Sequence, residues 1–187
     1  KFDSNGVRET YAKMFLTLWN VYKFHVDYAA LDGFDPLNSD SPVEQRSGLD
    51  RWILSRLHTV AQNYHEGFVN WQYHKACRDL EDFVVNDLSN WYVRRSRRRL
   101  WDEAESGDKL ACQHTLHEVL TTLCKLIAPV SPFMVDTIHR NLNGSSVHQA
   151  DWPVGVPGSI EGATADAWDE VAAKATAALP PQDLALE

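Results

Sequence analysis

The sequence predicts an all-α fold, an antiparallel helix bundle with an appended C-terminal helix. Three observations carry that reading. Apolar residues recur at helical spacing through five successive segments, an Ala-Pro-Val-Ser-Pro joint at 128–132 turns the chain between two of them, and no stretch alternates apolar and polar residues as a strand would.

In chain order, Tyr11, Phe15, Leu18, Tyr22, Val26 and Ala29 predict a first helix over roughly 6–31, with Lys13, Asn20 and Phe24 on its opposite side. Residues 32–48 have the Gly, Pro, Asp and Ser chemistry of a long connection. Leu49, Trp52, Ile53, Leu57, Val60, Tyr64 and Phe68 predict a helix over 49–70, and Ala76, Leu80, Phe83, Val84, Leu88 and Trp91 predict another over 71–101. A fourth, 108–127, stops ahead of Pro129. Ser131 as N-cap and Pro132 in the first turn open a fifth, 132–142. Residues 146–153 read as a short extended exit. The helical domain is thus expected over 1–153, a mobile Gly/Pro-rich linker over 154–163, and an Ala-rich acidic helix (164–178) and tail over 164–187.

With 187 residues, 44% hydrophobic content and seven tryptophans, the chain can bury a sizeable core. Its apolar runs fall far short of the roughly 20 residues of a membrane span, and it starts Lys1-Phe2-Asp3 with neither signal peptide nor initiator methionine, so it reads as an excised piece of a non-membrane protein. Cys77, Cys112 and Cys124 fit no disulfide framework and suit a cytoplasmic compartment. His114 and His117 lie between two of them, but Cys112 and Cys124 on one helix are about 18 Å apart along its axis, too far for one ion. No metal site is expected. Asn143-Gly144-Ser145 reads as a turn rather than a glycan acceptor.

Charge singles out one place. The net −8 comes mostly from residues 151–187, whereas Arg94-Arg95-Ser96-Arg97-Arg98-Arg99 holds five of the eighteen basic side chains. Following Leu80, Val84, Leu88 and Trp91 at about 100° per residue, Arg94, Arg95 and Arg98 fall near the azimuth of the apolar stripe, which predicts a guanidinium face continuing the buried one toward a polyanion. Catalytic signatures do not occur: there is no Gly-rich phosphate loop, Gly-x-Ser-x-Gly or His-Glu-x-x-His. Glu81-Asp82 and Asp102-Glu103 read as solvated or ion-paired acids, and His74, His117 and His139 as surface or half-buried polar groups. The expected catalytic set is empty.

The residues also carry a resemblance. Phe2-Asp3 with Gly6-Val7-Arg8-Glu9, Thr17-Leu18-Trp19-Asn20-Val21-Tyr22, and Asp50-Arg51-Trp52-Ile53-Leu54-Ser55-Arg56-Leu57 are similar to the isoleucyl-tRNA synthetase family just downstream of its catalytic core. Asn90 through Arg99, Leu126 through Met134 and Val147 through Pro153 resemble the same family in the same order. The valyl, leucyl and methionyl enzymes use similar bundles; the Asn-Trp-Tyr-Val-Arg-Arg-Ser-Arg run favours isoleucine. A helical protein-interaction module, with its arginines paired to a partner's acids, is the alternative of a different kind.

The resemblance implies the anticodon-binding helical domain of a class I aminoacyl-tRNA synthetase, a cytoplasmic ligase that attaches isoleucine to tRNA(Ile) using ATP and Mg2+. The family's His-Ile-Gly-His and Lys-Met-Ser-Lys-Ser type signatures are not in this chain, which is therefore expected to bind without catalysing, to hold no cofactor, and to leave any zinc to other segments. Its expected partners are tRNA(Ile) and the catalytic domain of the same parent chain, with no membrane or DNA partner and a monomeric state. A single-stranded anticodon loop calls for stacking platforms, amide groups and a cationic track. Asn20 is then a candidate base reader, Phe24 and Trp19 candidate platforms, and Lys13, Lys23, Arg94, Arg95 and Arg98 candidate phosphate contacts. The competing use of the arginines is an internal network with Asp79, Glu81, Asp82 or Asp102, or docking on the catalytic domain.

Overall fold

The computed structural model describes residues 4–101 and 106–153, and among these there are five helices and no strand. Helix α1 covers 4–31, as α-helix at Ser4–Thr10 and Leu16–Leu31 around a π-helical turn at Tyr11–Phe15. It buries Met14, Leu18, Val21, Tyr22 and His25. Just past its end Gly33 takes φ 61°, a left-handed conformation open to glycine at no steric cost. Helix α2, Gly48–Val69, is capped by Ser47, whose Oγ accepts the Asp50 N–H at 3.2 Å.

A three-residue turn joins α2 to α3. Trp71 there has φ 60°, and a Cβ on Gly67 would stand 2.8 Å from the Ala76 Cβ, so the hairpin closes this tightly only around glycine. Helix α3 covers 73–101: α-helix at Tyr73–Asp82, π-helix at Phe83–Val93, α-helix again at Arg94–Trp101. Helix α4, Gly107–Ile127, starts on Ser106, whose Oγ accepts the Lys109 N–H at 3.1 Å. Helix α5, Pro132–Asn143, has proline in its first turn as expected and stops at Gly144 with φ 71°. The Ser131 hydroxyl makes no cap bond, its ψ of 70° lying off the extended backbone from which an N-cap side chain turns back. Nor is the exit after α5 wholly extended: Val147–Gln149 forms a 3-10 turn on Ser146, whose Oγ accepts the His148 N–H at 3.3 Å.

Long-range contacts set the topology. Lys13 meets Glu81 at 2.8 Å in the lower halves of α1 and α3, while Asp32 at the top of α1 meets Lys109 at the start of α4 at 2.6 Å. Arg56 meets Asp87 at 3.0 Å, and Thr121 bonds Asn143 at 3.2 Å. Helices α1, α3 and α5 therefore run one way and α2 and α4 the other, the expected up-and-down bundle. Leu18, Ile53, Leu57, Phe83, Val84, Leu88, Leu116, Leu120, Leu123 and Ile138 are fully buried between them. The linker and helix expected over 154–178 lie outside the described residues.

Within α3 the expected face is wrong. The buried line does not pass through Trp91 to Arg94, Arg95 and Arg98; it runs Ala76, Leu80, Val84, Leu88, Tyr92, Ser96, Leu100, every fourth residue. In a helix of 3.6 residues per turn such a line would drift about 40° per step. The π-helical stretch takes up an extra residue per turn and cancels that drift. Arg94 and Arg98 are consequently exposed and Arg95 half-buried.

Candidate nucleic-acid interface

The candidate interface is organised by the arginine that faces inward, which sequence reasoning did not single out. Arg99 forms a bidentate pair with Asp50, at 2.8 and 2.7 Å, and its Nε donates to Asp108 at 2.7 Å. Asp50 has no exposed surface and also accepts from the Tyr92 hydroxyl at 2.5 Å and the Ser47 hydroxyl at 2.8 Å. One guanidinium thus ties the start of α2 and the start of α4 to the last turn of α3. Burial pushes the Asp50 carboxyl up, but the Arg99 hydrogen bonds and charge, with those of Tyr92 and Ser47, together hold it below the usual carboxylate range. Arg99 stays charged, since those same acids outweigh its desolvation.

The internal network foreseen for the arginines therefore exists, with other partners. Asp50 and Asp108 supply the carboxylates, Glu81 is engaged by Lys13 at 2.8 Å, and Asp102 lies outside the described residues. With Arg99 pinned inward, Arg94, Arg97 and Arg98 stand outward on the same two turns. Arg95 lays its guanidinium 3.7 Å from the centre of the Trp91 ring, a cation–π contact that holds both groups flat at the surface. Trp91, expected in the core stripe, is half-buried and leans on Trp52 at 6.4 Å.

Of the candidates on α1, Lys13, Asn20 and Lys23 are exposed. Lys13 and Lys23 are ion-paired, to Glu81 and to Asp27, each at 2.8 Å. The Lys23–Asp27 pair is exposed on both sides, so solvent screens it and a phosphate can displace Asp27 cheaply, whereas Glu81 is half-buried. Phe24 is half-buried and packs on Tyr28, ring centres 4.9 Å apart. Trp19 is 39% exposed and leans on Tyr22, ring centres 5.2 Å apart, and the Tyr22 hydroxyl accepts from Asn141 at 2.8 Å. The Lys13–Glu81 bridge sets α1 beside α3. Counting up both helices from it, Phe24 and Arg94 come at similar heights, while Lys13 lies with the bridge in the lower half.

A family model described as the anticodon-binding domain of tRNA ligase matches residues 50–177. The chain belongs to that family. Over 154 residues it is 44% identical to isoleucine--tRNA ligase 2 of Bacillus thuringiensis subsp. konkukian, covering 82% of this chain and 15% of that protein. It is also 44% identical over 164 residues to the isoleucine--tRNA ligase of Thermus thermophilus, covering 84% and 16%. To that of Porphyromonas gingivalis the identity is 44% over 155 residues, covering 82% and 14%. The anticodon-binding domain thus spans about 15% of the length of the curated relatives it matches.

No group of three or more His, Cys, Asp and Glu side chains placed to hold a metal ion occurs among the described residues, and no helix among them is long and apolar enough to cross a membrane. Cys112 and Cys124 are buried free thiols, pushed by burial to about 11 and about 12, which leaves them inert as nucleophiles or ligands.

Proposed function

We propose that this chain grips the anticodon stem-loop of tRNA(Ile) on behalf of an isoleucine–tRNA ligase. The observation that carries the reading is the outward arginine face of α3, held in direction by the buried Arg99–Asp50 pair and flanked by the Trp91–Arg95 stack. Cations beside flat rings match phosphates beside unpaired bases. In this reading Arg94, Arg95 and Arg98 meet phosphates, Lys13 and Lys23 extend the track along α1, Asn20 reads a base edge, and Phe24 and Trp19 stack.

Joining isoleucine to the tRNA, with ATP and Mg2+, is then the work of the rest of a longer cytoplasmic, monomeric enzyme. Its catalytic domain is this domain's second partner. The relatives' names support isoleucine as the amino acid. The test is competition: labelled tRNA(Ile) bound to the chain should be displaced by unlabelled tRNA(Ile) at least tenfold more effectively than by a tRNA of another anticodon. Equal displacement would reduce the reading to general polyanion binding.

A further inference from the structure

The last residue of α3 is a tryptophan, Trp101, and 56% of its surface is exposed. It lies at the end of the arginine run. Arg94, Arg97, Arg98 and Trp101 stand at i, i+3, i+4 and i+7, so on an α-helix they share an arc of about 100° and about 10 Å of axis. The opposite side of these two turns is fixed: Ser96 and Leu100 are buried, and Arg99 is held by Asp50 and Asp108. The indole therefore has a set direction, outward, in line with three guanidinium groups.

That combination selects among ligands. A regular duplex presents phosphates to such a face but keeps its bases stacked inside, leaving the indole no partner. A single strand presents phosphates and the flat faces of unpaired bases together, and base–aromatic stacking is indifferent to which base is offered. We propose that Trp101 is a stacking platform for an unpaired nucleotide of the bound tRNA. The proposal rests on the anticodon reading above and adds to it a contact at the far end of the arginine face.

The experiment uses the full 187-residue chain with Trp101→Leu, Trp101→Phe and the triple Arg94→Ala, Arg95→Ala, Arg98→Ala variant. The probes are a hairpin RNA carrying the anticodon stem and loop of tRNA(Ile), and the same stem as a blunt duplex. Trp101→Leu should weaken hairpin binding about 5- to 150-fold, the range of one lost stack. Its salt dependence should be that of the parent, because no phosphate contact is removed. Trp101→Phe, which keeps an aromatic face, should recover most of the loss, and duplex binding should not change. The urea midpoint of Trp101→Leu, at an exposed site, serves as the folding control. Hairpin binding by Trp101→Leu equal to the parent's, or a loss shared equally by hairpin and duplex, overturns the platform. The triple variant separates the two ideas: unchanged affinity and salt slope there would overturn the anticodon reading itself, whereas a weakened triple variant beside an unaffected Trp101→Leu would overturn the platform alone.

Discussion

His25 sits on the buried face of α1, 2% exposed, and its Nδ1 has no hydrogen-bond partner among the described residues. Its ring lies 6.0 Å from Phe34 and 6.2 Å from His117. Burial, and secondarily the neighbouring His117, bring its pKa down from 6.5 to about 3. Between these values the unfolded chain binds a proton that the folded chain refuses, so stability falls as the solution is acidified. The slope is about 1.4 kcal/mol per pH unit for one such group, or about 2 kcal/mol from pH 6.5 to 5. His117 and His114, also depressed chiefly by burial, steepen the fall. Asp50 and Asp136 do not contribute in this window, because carboxyls held below the ordinary value of 3.8 exchange protons on unfolding only at lower pH. Urea denaturation followed by circular dichroism at half-unit steps from pH 7.5 to 5 measures the slope. His25→Leu should flatten it by about 1.4 kcal/mol per unit. A variant slope equal to the parent's would refute the argument that His25 is held neutral by burial.

Three other outcomes follow from the geometry. Gly67→Ala, whose new Cβ would stand 2.8 Å from that of Ala76, should destabilise the chain by about 1–3 kcal/mol, and adding Ala76→Gly should restore most of the loss in a chemical denaturation series. Asp50→Ala, which strands Arg99, should cost about 3–5 kcal/mol, against less than about 1 kcal/mol for the more exposed Asp108→Ala; equal costs would mean that burial of the pair has been misjudged. In the triple arginine variant, log affinity for tRNA plotted against log salt should lose roughly two units of slope, at ~0.7–0.9 per lost phosphate contact, with the denaturation midpoint little changed. A destabilised triple variant with the parent's slope would end the phosphate assignment.

The five helices were legible because each carries its apolar residues at a spacing close to 3.6, and their ends fell within a residue or two of expectation. The face of α3 was not. Its buried line keeps a strict spacing of four from Ala76 to Leu100, a pattern present in the sequence but disguised by Ser96, a polar residue with no exposed surface, and by Trp91, a large ring one place out of line. An assumed 100° per residue then put the arginines on the wrong side. The division of labour among the five arginines was beyond reach for a different reason: Arg99 finds Asp50 forty-nine positions away, and nothing local distinguishes it from Arg98. Helix α1 is a milder case. The sequence placed Lys13 and Asn20 outward correctly, yet the Lys13–Glu81 bridge that sets α1 beside α3 joins residues on helices that are not consecutive in the chain.

The π-helical stretch Phe83–Val93 makes the heading of everything after it a matter of counting. Substituting one side chain there for another leaves the backbone phase alone. Removing a single residue would let a wide turn relax into an ordinary one and swing the last two turns of α3 by about 100°. Arg99 would then point away from Asp50, and the outward arginines would turn toward the neighbouring helices. Gaining or losing one position in the middle of α3 would therefore redirect the basic surface two turns downstream without touching any residue on it.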